Sequence, residues 1–227
     1  EATHALYFRL HREGLIDGVR VDHVDGLADP AGYCRRLRDR LGADAWIVVE
    51  KILGAGEALR DDWGVDGTSG YDFMEEVAVL LHDPAGEAPL TAHWARLTGR
   101  PADFPAEELI ARRQILGSEF EGQLAACVRA FAAVAAASPE TRSITPEALR
   151  HAIETLLQVF PVYRTYGDAL DVPLLAEVRR HALPLASPGE AEGPDRLLAW
   201  LAPGRAASPG GKVLLDEANR RFRQLSA

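Results

Sequence analysis

Two short hydrophobic runs, GVRV at 18 to 21 and WIVV at 46 to 49, each end on a carboxylate, Asp22 and Glu50, with one helix-sized segment between them. Parallel strands need a long crossover, usually a helix, so this layout specifies a βαβ unit with a right-handed connection. The intervening segment has the marks of that helix. Asp29 followed by Pro30 is an N-cap and first-turn pair, Tyr33, Leu37 and Leu41 make an apolar stripe, and Gly42 is a C′ stop. Side chains alternate along a strand, so Val19 and Val21 face one way while Gly18, Arg20 and Asp22 face the other, and Glu50 shares the phase of Val48. Both acids then stand at carboxyl ends of strands, where α/β folds place their chemistry.

Neighbouring strands lie about 4.8 Å apart, which places the two acids side by side. Carboxyl groups roughly 5 Å apart suit a retaining glycosidase, in which one attacks the sugar carbon and the other protonates the leaving oxygen. Arg20, on the same face as Asp22, is expected to keep that carboxylate ionised, which makes Asp22 the nucleophile. Val48 takes the corresponding place in the second strand, so Glu50 is expected to lack a nearby cation, as suits a general acid. Taken singly, either acid reads equally well as a helix cap or a solvated loop residue. Their matched phase and the arginine favour the catalytic reading. The rival is a magnesium-dependent lyase or racemase barrel, whose metal normally needs a third carboxylate after the next strand. Glu75 and Glu76, the nearest acids at that interval, fall in a helical pattern, and Arg20 disfavours a divalent cation.

At these residues the chain also resembles a known family. GVRVDHVDGL is similar to the nucleophile-bearing region of the α-amylase clan, and VVEKIL to the region carrying its acid/base. Together with WGVDGTSGYDF at 63 to 73 and FPVYRTY at 160 to 166, they resemble the maltooligosyl trehalose synthase family, intracellular enzymes that rearrange the reducing end of a maltodextrin from an α-1,4 to an α,α-1,1 linkage. The resemblance implies Asp22 as nucleophile, Glu50 as acid/base, and Arg20 and His23 as groups around the sugar. Lys51, Tyr71 and Tyr166 are weaker candidates for substrate contact, since Lys51 also reads as solvated, Tyr71 as the residue before a capping box and Tyr166 as packed under a loop. The clan's early strand motif and its third catalytic Asp are not in this sequence, so the resemblance implies an internal piece, inactive alone. It further implies a maltooligosaccharide substrate, no cofactor, and the trehalose-releasing hydrolase of the same pathway as a functional partner.

The expected fold is α/β and mostly helical by content, with a partial (β/α)8 barrel segment over 1 to 72 followed by an α-helical insertion or subdomain over 73 to 227. Beyond residue 72 the helical patterns run in sequence. Asp72 and Glu75 resemble a capping box ahead of Val77, Leu80 and Leu81, and Leu90, Trp94 and Leu97 precede a stop at Gly99. A long pattern spans 106 to 137, bent at Gly117 and Gly122. Thr145 and Pro146 open a helix that Pro161 ends, and further helices are expected over 171 to 183, 194 to 202 and through Leu214, Ala218, Phe222 and Leu225. Loops are expected at 187 to 194 and 203 to 211.

A net charge of −9 argues against a nucleic-acid partner, which calls for a basic face. No apolar run is long enough to cross a bilayer, and the alanine-rich segment 124 to 137, interrupted by Arg129, reads as a packed helix. No signal peptide is visible at the start. Cys34 and Cys127 lack metal-type spacing and read as packed thiols of a reducing cytoplasm, and His4 with His11 has no third ligand, so no metal site is expected. Two other classes stay open: another α-glucan hydrolase or transferase of the clan, and a helical protein-binding module over 73 to 227.

Overall fold

β-Branched residues at 19, 21 and 47 to 49 favour the extended pleat, and the chain uses them for β1 (Gly18–Val21) and β2 (Trp46–Val49). A computed structural model describes residues 3 to 54, 56 to 186, 192 to 204 and 209 to 227. In it β1 and β2 pair in parallel, Arg20 opposite Val48 and Val21 opposite Val49. A third strand, β3 (Gly67–Thr68), adds in parallel to the far side of β2, giving the order β1-β2-β3. Hydrophobic periodicity marks only the first two of these strands. A two-residue strand is too short to show alternation, and β3 is extended by loop groups instead: the Asp66 N–H donates to Ile47 O and the Ser69 N–H to Val49 O.

α1 (Ala5–Arg12) precedes β1, and α2 (Pro30–Leu41) is the crossover. The α2 signals act as read: Asp29 Oδ1 accepts the Gly32 N–H at 2.8 Å, and Gly42 closes the helix at φ 98°. Val21, Val24, Cys34, Leu37, Ile47, Val49 and Trp63 are buried, whereas Trp46 and Arg20 are exposed. α3 (Tyr71–Leu81) begins two residues earlier than the capping-box reading placed it. Its N-cap is Gly70, and the Asp72 carboxylate instead accepts from Thr68 Oγ1 at 2.6 Å.

The chain divides into two compact units, 1 to 86 and 87 to 227, so α3 groups with the sheet. The second unit is helical: α4 (Glu87–Thr98), α5 (Phe104–Ser118), α6 (Glu121–Ala136), α7 (Pro146–Gln158), α8 (Asp171–Ala182), α9 (Glu192–Leu201) and α10 (Pro209–Ser226). Its core joins Leu124 and Phe131 of α6, Ile153 and Leu156 of α7, Val178 of α8, Leu197 and Leu201 of α9, and Phe222 of α10. Phe131 stacks on Trp200 with ring centroids 5.8 Å apart and meets Phe222 edge-on at 6.5 Å. The run expected as one bent helix over 106 to 137 is two helices, broken at Glu119 and Phe120. Both halves pack on α7 and only α6 packs extensively on α10, and a glycine near each end of the break weakens helix continuity.

Thr145 caps α7 through the Ala148 N–H, and the helix ends at Gln158, before Pro161. α10 starts at Pro209, inside the stretch expected as a loop, while 187 to 191 and 205 to 208 of the expected loops lie outside the described residues. Cys34 and Cys127 are free and buried, one in each unit. No described helix is long and apolar enough to cross a membrane.

Candidate active site

The strand register carries straight into the site. Asp22 and Glu50 are the first residues beyond β1 and β2, and the Glu50 N–H donates to Val21 O at 2.8 Å, so the parallel pairing continues up to the acids. Arg20 bridges them. One guanidinium nitrogen lies 2.6 Å from Asp22 Oδ1 and the other 2.9 Å from Glu50 Oε1. The expectation that Glu50 has no cation beside it is therefore corrected: alternation places Arg20 on the right face, but its length lets it reach across to the next strand as well.

The two acids differ in surroundings. The Asp22 side chain is 75% exposed and that of Glu50 23%. The hydrogen bond from Arg20 holds the Asp22 carboxyl below the usual aspartate range. Both carboxyls meet one guanidinium, each through a different terminal nitrogen. A divalent cation placed between them would have to displace the guanidinium.

Glu50 is held from two further directions. The His23 backbone N–H donates to Glu50 Oε2 at 2.9 Å, and the Tyr71 hydroxyl donates to Oε1 at 3.3 Å. His23 itself is left-handed, with φ 42° and ψ 52°, the one such non-glycine among the described residues, and so turns the chain sharply just after this bond. Such a backbone costs a residue bearing a Cβ. Gly26 makes room for the turn: a Cβ there would lie 2.3 Å from the His23 ring.

The other sequence candidates are placed differently. Lys51 is buried, with its ammonium 3.1 Å from Asp25 Oδ2 and 2.8 Å from Glu57 Oε1, so the reading of Lys51 as a solvated or sugar-facing cation is corrected. Tyr166 belongs to the second unit, where its N–H donates to Asp171 Oδ2 at 2.9 Å and its ring faces the Arg164 guanidinium at 5.4 Å. His4 is hydrogen-bonded to the Tyr33 hydroxyl at 2.7 Å. Sequence reasoning missed the His23 amide, Asp25 and Glu57. A backbone donor leaves no trace in residue types, and the only hint of Asp25 was its position three residues after Asp22.

No family model matches the chain. A protein of Mycobacterium tuberculosis named as a maltooligosyl trehalose synthase is 58% identical over 92 residues, 40% of this chain and 12% of that protein. The solved maltooligosyltrehalose synthase of Arthrobacter ramosus matches 99% of this chain at 29% identity with a TM-score of 0.79. The chain is similar to maltooligosyl trehalose synthases. A solved glycosyltrehalose synthase gives the same likeness over 87% of the chain, at 30% identity and a TM-score of 0.63. The chain spans about a quarter of the length of these solved relatives, 26% of the Arthrobacter synthase and 24% of the glycosyltrehalose synthase.

Proposed function

We propose that this chain is an internal segment of a maltooligosyl trehalose synthase and supplies the nucleophile and the acid/base of its site. The carrying observation is the Arg20-bridged pair of Asp22 and Glu50 at adjoining strand ends, in a chain that matches a maltooligosyltrehalose synthase structure along nearly its whole length. On this reading the first unit is part of a (β/α)8 barrel and the second a helical subdomain, with the third catalytic acid and the other strands elsewhere in the longer polypeptide.

Asp22 attacks the anomeric carbon at the last α-1,4 linkage of a maltodextrin, while Glu50 gives its proton to the departing O4, leaving a glycosyl ester on Asp22 and a free glucose. Arg20 keeps Asp22 ionised for the attack. The released glucose turns within the site and presents its anomeric hydroxyl. Glu50, now the base, takes that proton as the oxygen displaces Asp22, which forms the α,α-1,1 bond and restores both carboxyls. Hydrolysis would use the same two groups with water as acceptor, so isomerisation depends on retaining the glucose and excluding water. On this reading His23 and Tyr71, which both contact Glu50, line that glucose.

The test uses the complete natural polypeptide containing this chain and a maltodextrin substrate. A nonreducing product ending in an α,α-1,1 linkage is expected, and accumulation of reducing sugar alone would assign a hydrolase of the same clan. Asp22→Asn is expected to lower kcat by about three orders of magnitude or more with the circular dichroism spectrum unchanged. Retention of most of the rate would remove Asp22 from the chemistry.

A further inference from the structure

The residue immediately after Glu50 is a lysine that the reaction above does not use. Its ammonium is withdrawn from solvent, with Lys51 only 2% exposed, so it depends on its paired carboxylates for stability. Those carboxylates come from two loops. Asp25 lies in the short turn Val24–Gly26 that follows Asp22, and Glu57 lies in the loop that follows Glu50, where its Oε2 also accepts the Gly54 N–H at 2.9 Å. Lys51 therefore ties together the two loops that begin with the two acids.

The same loops are joined a second time in the opposite sense. The turn after β1 sends the His23 amide to Glu50, and the loop after β2 sends the Lys51 ammonium to Asp25. Between these contacts stands the left-handed backbone of His23, which relaxes unless both neighbours hold it. We propose that Lys51 is a positioning residue: its buried ion pairs with Asp25 and Glu57 hold the turn after β1 in the conformation from which the His23 amide fixes Glu50 against Asp22. The inference rests on the reading of Asp22 and Glu50 as the reacting pair, and it replaces the sugar contact expected for Lys51.

The experiment compares Lys51→Met, Lys51→Arg and Asp25→Asn in the complete natural polypeptide. Two readouts are taken: steady-state kinetics on a maltodextrin, and amide hydrogen exchange of the peptide covering 22 to 27. Lys51→Met is expected to lower kcat about thirtyfold or more while KM stays within about threefold, since the group does not touch sugar. Exchange at the His23 amide is expected to quicken about tenfold or more under conditions that leave the rest of the fold protected. Lys51→Arg, which keeps the charge, is expected to recover much of both losses.

A raised KM with kcat retained would show Lys51 binding the sugar and overturn the proposal, as would exchange unchanged in a folded Lys51→Met. Should Lys51→Met fail to fold, Asp25→Asn, nearly isosteric and still leaving Glu57 to the ammonium, decides the matter: faster exchange with lower kcat supports the latch, and no change in either overturns it. Failure of the functional reading is separately visible, because it shows in the wild-type product and in Asp22→Asn while the exchange measurement still decides whether Lys51 holds the turn.

Discussion

Arg20 serves both acids with one side chain, and the consequence is a measurable pH dependence. The Asp22 carboxyl lies below its usual value because it accepts from the guanidinium. A lowered pKa means that the ionised form persists as pH falls, so activity needing ionised Asp22 is lost only below the ordinary aspartate value of about 3.9. In Arg20→Gln the acid limb of the kcat/KM profile is expected to move up in pH, and a limb that stays in place would remove Arg20 from this role. At this scale the sequence was partly legible. The Arg20 to Asp22 contact follows from two residues on one strand face, whereas the reach to Glu50 depends on side-chain length and the His23 amide on a backbone angle, neither of which alternation encodes.

Among the elements, the crossover helix is held by one residue near its C-terminus. Arg38 of α2 donates from Nε to Gly64 O at 2.8 Å and from a terminal nitrogen to Asp66 Oδ2 at 2.7 Å, while Asp66 also accepts the Ile47 N–H at 2.7 Å. One arginine thus joins the end of α2, the start of β2 and the entry to β3. Arg38→Met is expected to destabilise the first unit by about 2 kcal/mol, read by urea unfolding, because hydrogen bonds involving charged groups are lost at a partly screened site. The backbone bond to Ile47 and the contact with Arg38 keep the Asp66 carboxyl below its usual value. Its contribution is therefore present above the unfolded aspartate pKa and is lost as pH falls through the folded one, so the penalty of Arg38→Met is expected to shrink in acid. The helices with strong local signals, α2 at Asp29 and Gly42 and α7 at Thr145 and Pro146, were legible from sequence. β3 was not, because its pairing is imposed by β2 and the Arg38 to Asp66 clasp rather than by its own two residues, and the α5 to α6 break was not, because the apolar pattern runs on through Glu119 and Phe120 where the helix stops.

Over the molecule as a whole, the two units have cores of different kinds. The first gathers Val21, Ile47 and Val49 of the sheet with Leu37 of α2 and Trp63, and the second gathers residues from α6 to α10 around Phe131 and Phe222. A mostly helical chain with a parallel sheet near its start was readable from hydrophobic periodicity. The edge between units was harder, since α3 carries the same helical pattern as the segments after it yet groups with the sheet. Its stripe of Leu80 and Leu81 is exposed, so periodicity alone did not say where those side chains would lie.

Each unit also encloses a single sulfur. Burial pushes the Cys34 thiol up to about 11 and the Cys127 thiol up to about 12, so near neutral pH neither presents the thiolate that reacts with electrophiles. Iodoacetamide at pH 8 is expected to alkylate both about a hundredfold or more slower in buffer than in concentrated urea. Rapid labelling of either without denaturant would contradict its enclosure. Peptide mass fingerprinting of a time course then yields two independent clocks on one polypeptide, one ticking with each breathing motion that bares the α2 sulfur and the other with each that bares the α6 sulfur.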